Sequence, residues 1–122
     1  MKRDIVSPPD GLEIAMREGE EGITLRLCGR LNIDSSPALR DRILAMLQAQ
    51  SPSALIVDFS NVSYVDSSGI ATLIEGLKMA RQRQTTLCVQ GLQGRLLHLF
   101  EVTGMFALFE NSSYASSEST VS

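Results

Sequence analysis

The residues best suited to chemistry are Asp66-Ser67-Ser68-Gly69, because they stand where a helical pattern begins. The apolar residues that follow predict an amphipathic helix over residues 68–81; they are Ile70, Leu73, Ile74 and Leu77. The first N–H groups of a helix lack intrahelical partners, and the helix dipole attracts anions to that end. A serine there can cap the helix, which stabilises the helix by about 1 kcal/mol.

Capping is the simpler function for a serine pair taken alone, and sequence order alone barely separates the two serines. Ser68 lies nearer the first apolar residue of the helix and is the better candidate for the cap. Ser67 then lies on the loop before the helix, exposed and close to the dipole. We therefore expect Ser68 to cap the helix and the hydroxyl of Ser67 to be the freer of the two.

The chain before this group predicts a strand at the centre of a sheet. Residues 54–57 are all apolar, in a run too short for a helix and rich in β-branched side chains. Such a run is typical of a strand that is covered on both faces. We expect a parallel strand over residues 54–59 that ends in a turn at Ser60-Asn61.

The remaining segments predict an α/β fold with a mixed central sheet of about four to five strands. Alternating apolar residues on both sides of Gly19 and Gly22 predict a β-hairpin. Asp34-Ser35-Ser36-Pro37 then predicts the start of a helix that runs to about Gln48. After the helix over residues 68–81, we expect a strand over 85–89, a short helix around 96–100 closed at Thr103-Gly104, and a last edge strand over 105–109. We expect an extended leader over residues 1–11, one domain over 12–110 and a disordered serine-rich tail over 111–122.

Composition argues against several classes of function. The formal net charge of -3, without a basic cluster, disfavours a nucleic-acid surface. No run approaches the roughly 18 apolar residues of a membrane span, so we expect a cytoplasmic protein without direct membrane insertion. Cys28 and Cys88 are expected to be buried thiols and His98 a solvated helix residue, without a metal or cofactor. No nucleophile and base lie together in the predicted elements, so no enzymatic activity is expected.

The stretch that runs from the central strand through Asp58-Phe59-Ser60 to Asp66-Ser67-Ser68-Gly69-Ile70 resembles the central signature of STAS domains. This family comprises anti-sigma factor antagonists and the C-terminal domains of sulphate transporters. The resemblance covers about residues 12–109 and implies the same order of elements. It also implies that Ser67 is the phospho-acceptor. A Gly-x-Leu-Asp motif of the family reads Gly29-Arg30-Leu31-Asn32 here, so Asn32 keeps the turn chemistry and lacks the charge.

The predicted topology brings residues 29–36, residues 65–69 and the exposed side of the following helix to one edge of the sheet, because parallel strands end there together. We expect this edge to bind a partner. The residues expected to take part are Arg30, Asn32, Asp34, Asp66, Ser67, Ser68 and Gly69.

Two functions follow from the resemblance. An anti-sigma factor antagonist binds an anti-sigma factor that is also a serine kinase, and phosphorylation of Ser67 would release it. Alternatively, the chain is the STAS subunit of an ABC lipid-transport complex and binds the ATPase subunit, without a phosphorylation cycle. The intact Asp-Ser-Ser-Gly favours the first function. The sequence leaves the oligomeric state open, and a monomer is one form that it allows.

Overall fold

The strand predicted at the centre of the sheet lies between two parallel neighbours. The computed structural model describes residues 11–50 and 52–109. Its elements, in chain order, are β1 (Leu12–Gly19), β2 (Gly22–Leu31), α1 (Ser36–Gln50), β3 (Ala54–Val65), α2 (Ser67–Gln82), β4 (Thr86–Gln90), α3 (Gly94–Val102) and α4 (Met105–Phe109). The four-stranded sheet has the order β1-β2-β3-β4, with β1 antiparallel to β2 and the other pairs parallel. The predicted hairpin, mixed sheet and α/β alternation are confirmed.

β3 is longer than predicted, and the expected turn at Ser60-Asn61 is wrong. The strand continues to Val65. Its pairing with β2 shifts register twice, once across Phe59-Ser60 and once at Ser63, and Asn61 is paired with Cys28. Serine and asparagine favour turns because their side chains bond nearby backbone groups. Here the chain stays extended because it continues to pair with β2 beyond Ser60, and the Asp58 carboxylate accepts the N–H of Ser60 at 2.9 Å within this stretch.

One face of the sheet forms the hydrophobic core. Alternate residues of β2, β3 and β4 on this face are fully buried, among them Leu25, Val57 and Val89. Helix α2 contributes Leu73 and Leu77, which are buried, and Ile70 and Ile74, which are partly buried. The predicted apolar stripe of this helix is confirmed, and it fixes how the start of α2 meets the sheet.

Residues 105–109 form a short helix, so the predicted last edge strand is wrong. Met105 and Phe109 lie one helical turn apart and are both buried, at 1% and 0% exposure. Phe106 contacts Phe100 of α3, with the ring centres 6.1 Å apart. A five-residue apolar run carries too little periodicity to distinguish a helix from a strand. The predicted closure of α3 at Thr103-Gly104 is confirmed, with φ of 77° at Gly104.

The two cysteines are less buried than expected. Cys28 is exposed, because its neighbour Leu27 faces the core and the next residue of a strand points to the other face. Cys88 is half-buried, and burial, together with the nearby charge of Glu21, raises the pKa of its thiol. The His98 side chain is 75% exposed on α3, as predicted.

The predicted tail and nearly all of the predicted leader lie outside the described residues. Within residues 11–50 and 52–109, no helix is long and apolar enough to cross a membrane.

Candidate functional site

The ends of β2 and β3 bring the two predicted segments of the site together. Leu31 pairs with Val65 in the last step of the parallel ladder, and the N–H of Asp66 donates to the carbonyl of Leu31 at 3.1 Å. The loop after β2 and the start of α2 are therefore neighbours. This confirms the predicted meeting of the loops at one edge of the sheet.

The cap of α2 is Asp66, so the prediction that Ser68 caps the helix is wrong. Asp66 has extended backbone angles, and its Oδ1 accepts the N–H groups of Ser68 at 2.9 Å and Gly69 at 3.2 Å. A carboxylate at this position also interacts favourably with the positive end of the helix dipole. The helix consequently begins at Ser67, one residue earlier than predicted.

Both serine hydroxyls are left without a capping function. The side chain of Ser67 is exposed in the first turn of α2, and that of Ser68 is half-buried. Among the described residues, neither hydroxyl has a hydrogen-bond partner. Ser67 thus has the accessibility that a phospho-acceptor requires, while its phosphorylation remains a prediction.

Gly69 is buried and allows α2 to approach the end of β2. A Cβ at this position would lie 2.8 Å from Cγ of Leu31 and 2.9 Å from Cγ1 of Val65, closer than real side chains pack. Gly69 therefore allows the first turn of α2 to pack against the sheet, and its contact with a partner stays a prediction.

The loop after β2 is held by its own polar side chains. Asn32 Oδ1 accepts the N–H groups of Asp34 at 3.0 Å and Ser35 at 3.1 Å. The hydroxyl of Ser35 donates to the carbonyl of Arg30 at 2.7 Å and accepts the N–H of Asn32 at 2.9 Å. The turn chemistry expected of Asn32 is confirmed, and Asp34 is left exposed beside it.

Arg30 stacks on an aromatic residue that the sequence analysis did not single out. Its guanidinium carbon lies 4.3 Å above the centre of the Tyr64 ring, within the range of a cation–π interaction. Arg30 and Tyr64 are paired residues of the β2–β3 ladder, which places both side chains on the same face of the sheet. Arg30 directly precedes the last residue of β2, Leu31, and Tyr64 directly precedes the last residue of β3, Val65. The sequence shows these two positions, but only the register of the two strands shows that the side chains meet.

A second polar group supports the middle of β3 and was also missed. Asp58 is only 7% exposed, and its Oδ1 accepts the hydroxyl of Ser60 at 2.6 Å. Burial acts to raise the pKa of Asp58, but the hydrogen bonds from Ser60 and Gln90 and the charge of Arg26 outweigh it, so the pKa is lowered. Gly91, with φ of 79°, packs directly on this pair.

These features define a small α/β domain whose parallel strands place an exposed serine at the start of a helix beside a rigid loop. A family model described as "Mlab, STAS domain" matches residues 14–110. The chain belongs to the STAS domain family.

Individual relatives and solved structures agree with this assignment. An anti-sigma-B factor antagonist of Listeria monocytogenes is 32% identical over 99 residues, which cover 81% of this chain and 85% of that protein. The crystal structure of an anti-sigma factor antagonist from Mycobacterium paratuberculosis is 23% identical and superposes with a TM-score of 0.72 over 85% of this chain and 87% of that one. The Bacillus cell fate determinant SpoIIAA in its phosphorylated form is 15% identical, with a TM-score of 0.64 over 88% of this chain and 90% of that one. The relative at 32% identity is an anti-sigma factor antagonist, and the two structures support the fold.

Proposed function

We propose that this chain is an anti-sigma factor antagonist, a non-catalytic cytoplasmic module that binds an anti-sigma factor with serine kinase activity and is released when Ser67 is phosphorylated. The observation that carries the proposal is the exposed, uncommitted hydroxyl of Ser67 next to the capping residue Asp66. The Listeria relative bears the name of an anti-sigma-B factor antagonist, and the SpoIIAA structure records a phosphorylated form. Both names support a regulated antagonist.

The position of Ser67 suggests how phosphorylation would act. A phosphoryl group adds a charge of about -1.5 to -2 at the positive end of the α2 dipole, so the fold should tolerate it. The side chain of Ser67 is exposed, and the N–H groups of Ser68 and Gly69 already donate to Asp66, so a phosphate on Ser67 would lie at the surface of the domain. Phosphorylation therefore changes the surface of the domain more than its conformation.

A bound partner would experience that change directly. Docking over residues 66–69 would require the desolvation of a phosphate dianion beside the Asp66 carboxylate. A loss of roughly 3 to 4 kcal/mol weakens binding by a few hundred-fold. Release would thus follow from the interface itself.

The test uses the purified anti-sigma factor kinase of the source organism. Mass spectrometry after reaction with ATP should find phosphate on Ser67, and titration calorimetry should show a few hundred-fold weaker binding of the phosphorylated protein. Ser67→Ala should take up no phosphate and bind like the unmodified protein, and Ser67→Asp should bind more weakly. Ser68→Ala is the matched control and should be phosphorylated normally.

Phosphate on Ser68, or only on residues 111–122, would contradict the assignment of the acceptor. Binding that survives phosphorylation of Ser67 would contradict the regulatory mechanism. Failure of the chain to bind the kinase at all would contradict the proposed partner and favour the alternative of a STAS subunit bound to the ATPase of a lipid-transport ABC complex, which has no such cycle.

A further inference from the structure

The loop between β2 and α1 carries an isoleucine that the fold does not use. Ile33 is 70% exposed, more than any other large hydrophobic side chain among residues 11–50 and 52–109. Single exposed hydrophobic residues are ordinary on protein surfaces, so exposure alone indicates nothing. Two further features bear on Ile33: the hydrogen bonds that order its loop, and its position beside the start of α2.

The backbone on both sides of Ile33 is fixed by short-range hydrogen bonds. Asn32 Oδ1 accepts the N–H groups of Asp34 and Ser35, and the Ser35 hydroxyl donates to the Arg30 carbonyl. A loop that is already ordered loses little conformational entropy when a partner binds it. The loop therefore presents Ile33 in a prepared conformation.

Ile33 also lies close to the candidate phosphorylation site. The carbonyl of Leu31 accepts the N–H of Asp66 at 3.1 Å, while Ile33 follows Leu31 by two residues and Ser67 follows Asp66 directly. An extended chain advances about 3.5 Å per residue, so the backbones of Ile33 and Ser67 lie within about 15 Å of each other. A standard interface buries about 800 Å² on each partner, a patch roughly 30 Å across. One partner has room to cover both residues.

We propose that Ile33 is the apolar anchor of this surface, and that its partner is a folded protein with an apolar socket next to the point where it meets Ser67. The inference rests on the function proposed above. Protein interfaces commonly combine a small apolar centre with a polar rim, and Asn32, Asp34 and Ser67 supply such a rim around Ile33. The uncharged anchor supplies affinity that phosphorylation does not alter, whereas Ser67 supplies control.

The first measurement compares two exposed β-branched residues. Ile33→Ala should weaken binding to the purified kinase that phosphorylates Ser67 by about tenfold. The truncation removes most of the apolar area of this side chain that the partner would bury. Val102→Ala is the matched control, since Val102 is 65% exposed on α3, and it should leave the affinity unchanged. Both variants should melt at the wild-type temperature.

The second measurement identifies contacts in cells of the source organism. A photo-crosslinking amino acid, p-benzoylphenylalanine, is placed at position 33, 67 or 102. Capture of the same protein from positions 33 and 67, with none from position 102, together with the affinity loss of Ile33→Ala, supports the inference.

The remaining outcomes separate this inference from the proposed function. Capture from position 67 alone, or wild-type affinity of Ile33→Ala, overturns the role of Ile33 and leaves the proposed function intact. Capture from position 33 of a protein whose binding ignores phosphorylation of Ser67 contradicts the proposed function and retains the anchor. No capture from either position overturns both.

Discussion

Replacement of Asp66 by alanine should destabilise the domain more than replacement of either neighbouring serine. In the structure Asp66 accepts two backbone N–H groups at the start of α2, and one of them belongs to the buried Gly69. Ser68 makes no such bond. The two substitutions therefore distinguish the cap seen in the structure from the cap that the serine pattern suggests.

The size of the effect follows from the bonds that are lost. Removal of an N-cap costs about 0.5 to 2 kcal/mol, and the loss of two partners, one of them buried, places Asp66→Ala at the upper end, about 2 kcal/mol. For a domain of this size 1 kcal/mol corresponds to about 4 °C, so the melting temperature should fall by about 8 °C. Asp66→Asn keeps the acceptor and loses only the charge–dipole interaction, about 0.5 kcal/mol, or about 2 °C.

Thermal unfolding followed by circular dichroism measures these shifts, and amide hydrogen exchange locates them. In Asp66→Ala the amides of Ser68 and Gly69 should lose protection first, because their acceptor is gone. Ser68→Ala should change the stability by less than about 0.5 kcal/mol. A larger loss for Ser68→Ala than for Asp66→Ala would refute this account of the helix start.

Two further predictions concern the polar group under β3. Because the folded-state pKa of Asp58 lies below its ordinary value of 3.8, the ionised side chain stabilises the fold above that pH, and this contribution is lost as the pH falls through the lowered value. The urea midpoint of the wild type should therefore fall more steeply between about pH 5 and about pH 2 than that of Asp58→Asn, and parallel curves would contradict this. Gly91→Ala should cost more stability than Gly94→Ala in the same urea titration, because both positions have positive φ but only at Gly91 would the new Cβ collide with Ser60 and lie 2.6 Å from Asp58 Oδ1. Equal losses would mean that backbone strain alone, and not contact with Ser60 and Asp58, sets the effect.

The periodic parts of the fold could be predicted from sequence. Helix α2 was predicted from four apolar residues at helical spacing, a pattern that records which face is buried, and β3 from an apolar, β-branched run that is too short for a helix. The failures fall where the local signal was short or shared by two structures. Residues 105–109 are too few to show a period, and Ser60-Asn61 has turn chemistry that the pairing of β3 with β2 overrides.

The candidate site divides in the same way. The sequence by itself placed an Asp-Ser-Ser-Gly group at a helix start and a polar loop after β2, because turn and capping residues act on their immediate neighbours. Only the tertiary structure decided which residue caps α2, since Asp66 takes this position with its N–H bonded to Leu31 on another strand. The stacking of Arg30 on Tyr64 and the exposure of Ile33 likewise depend on strand register and on which surfaces the helices cover. Both features depend on how segments distant in sequence are placed against one another, and a local sequence pattern does not encode that geometry.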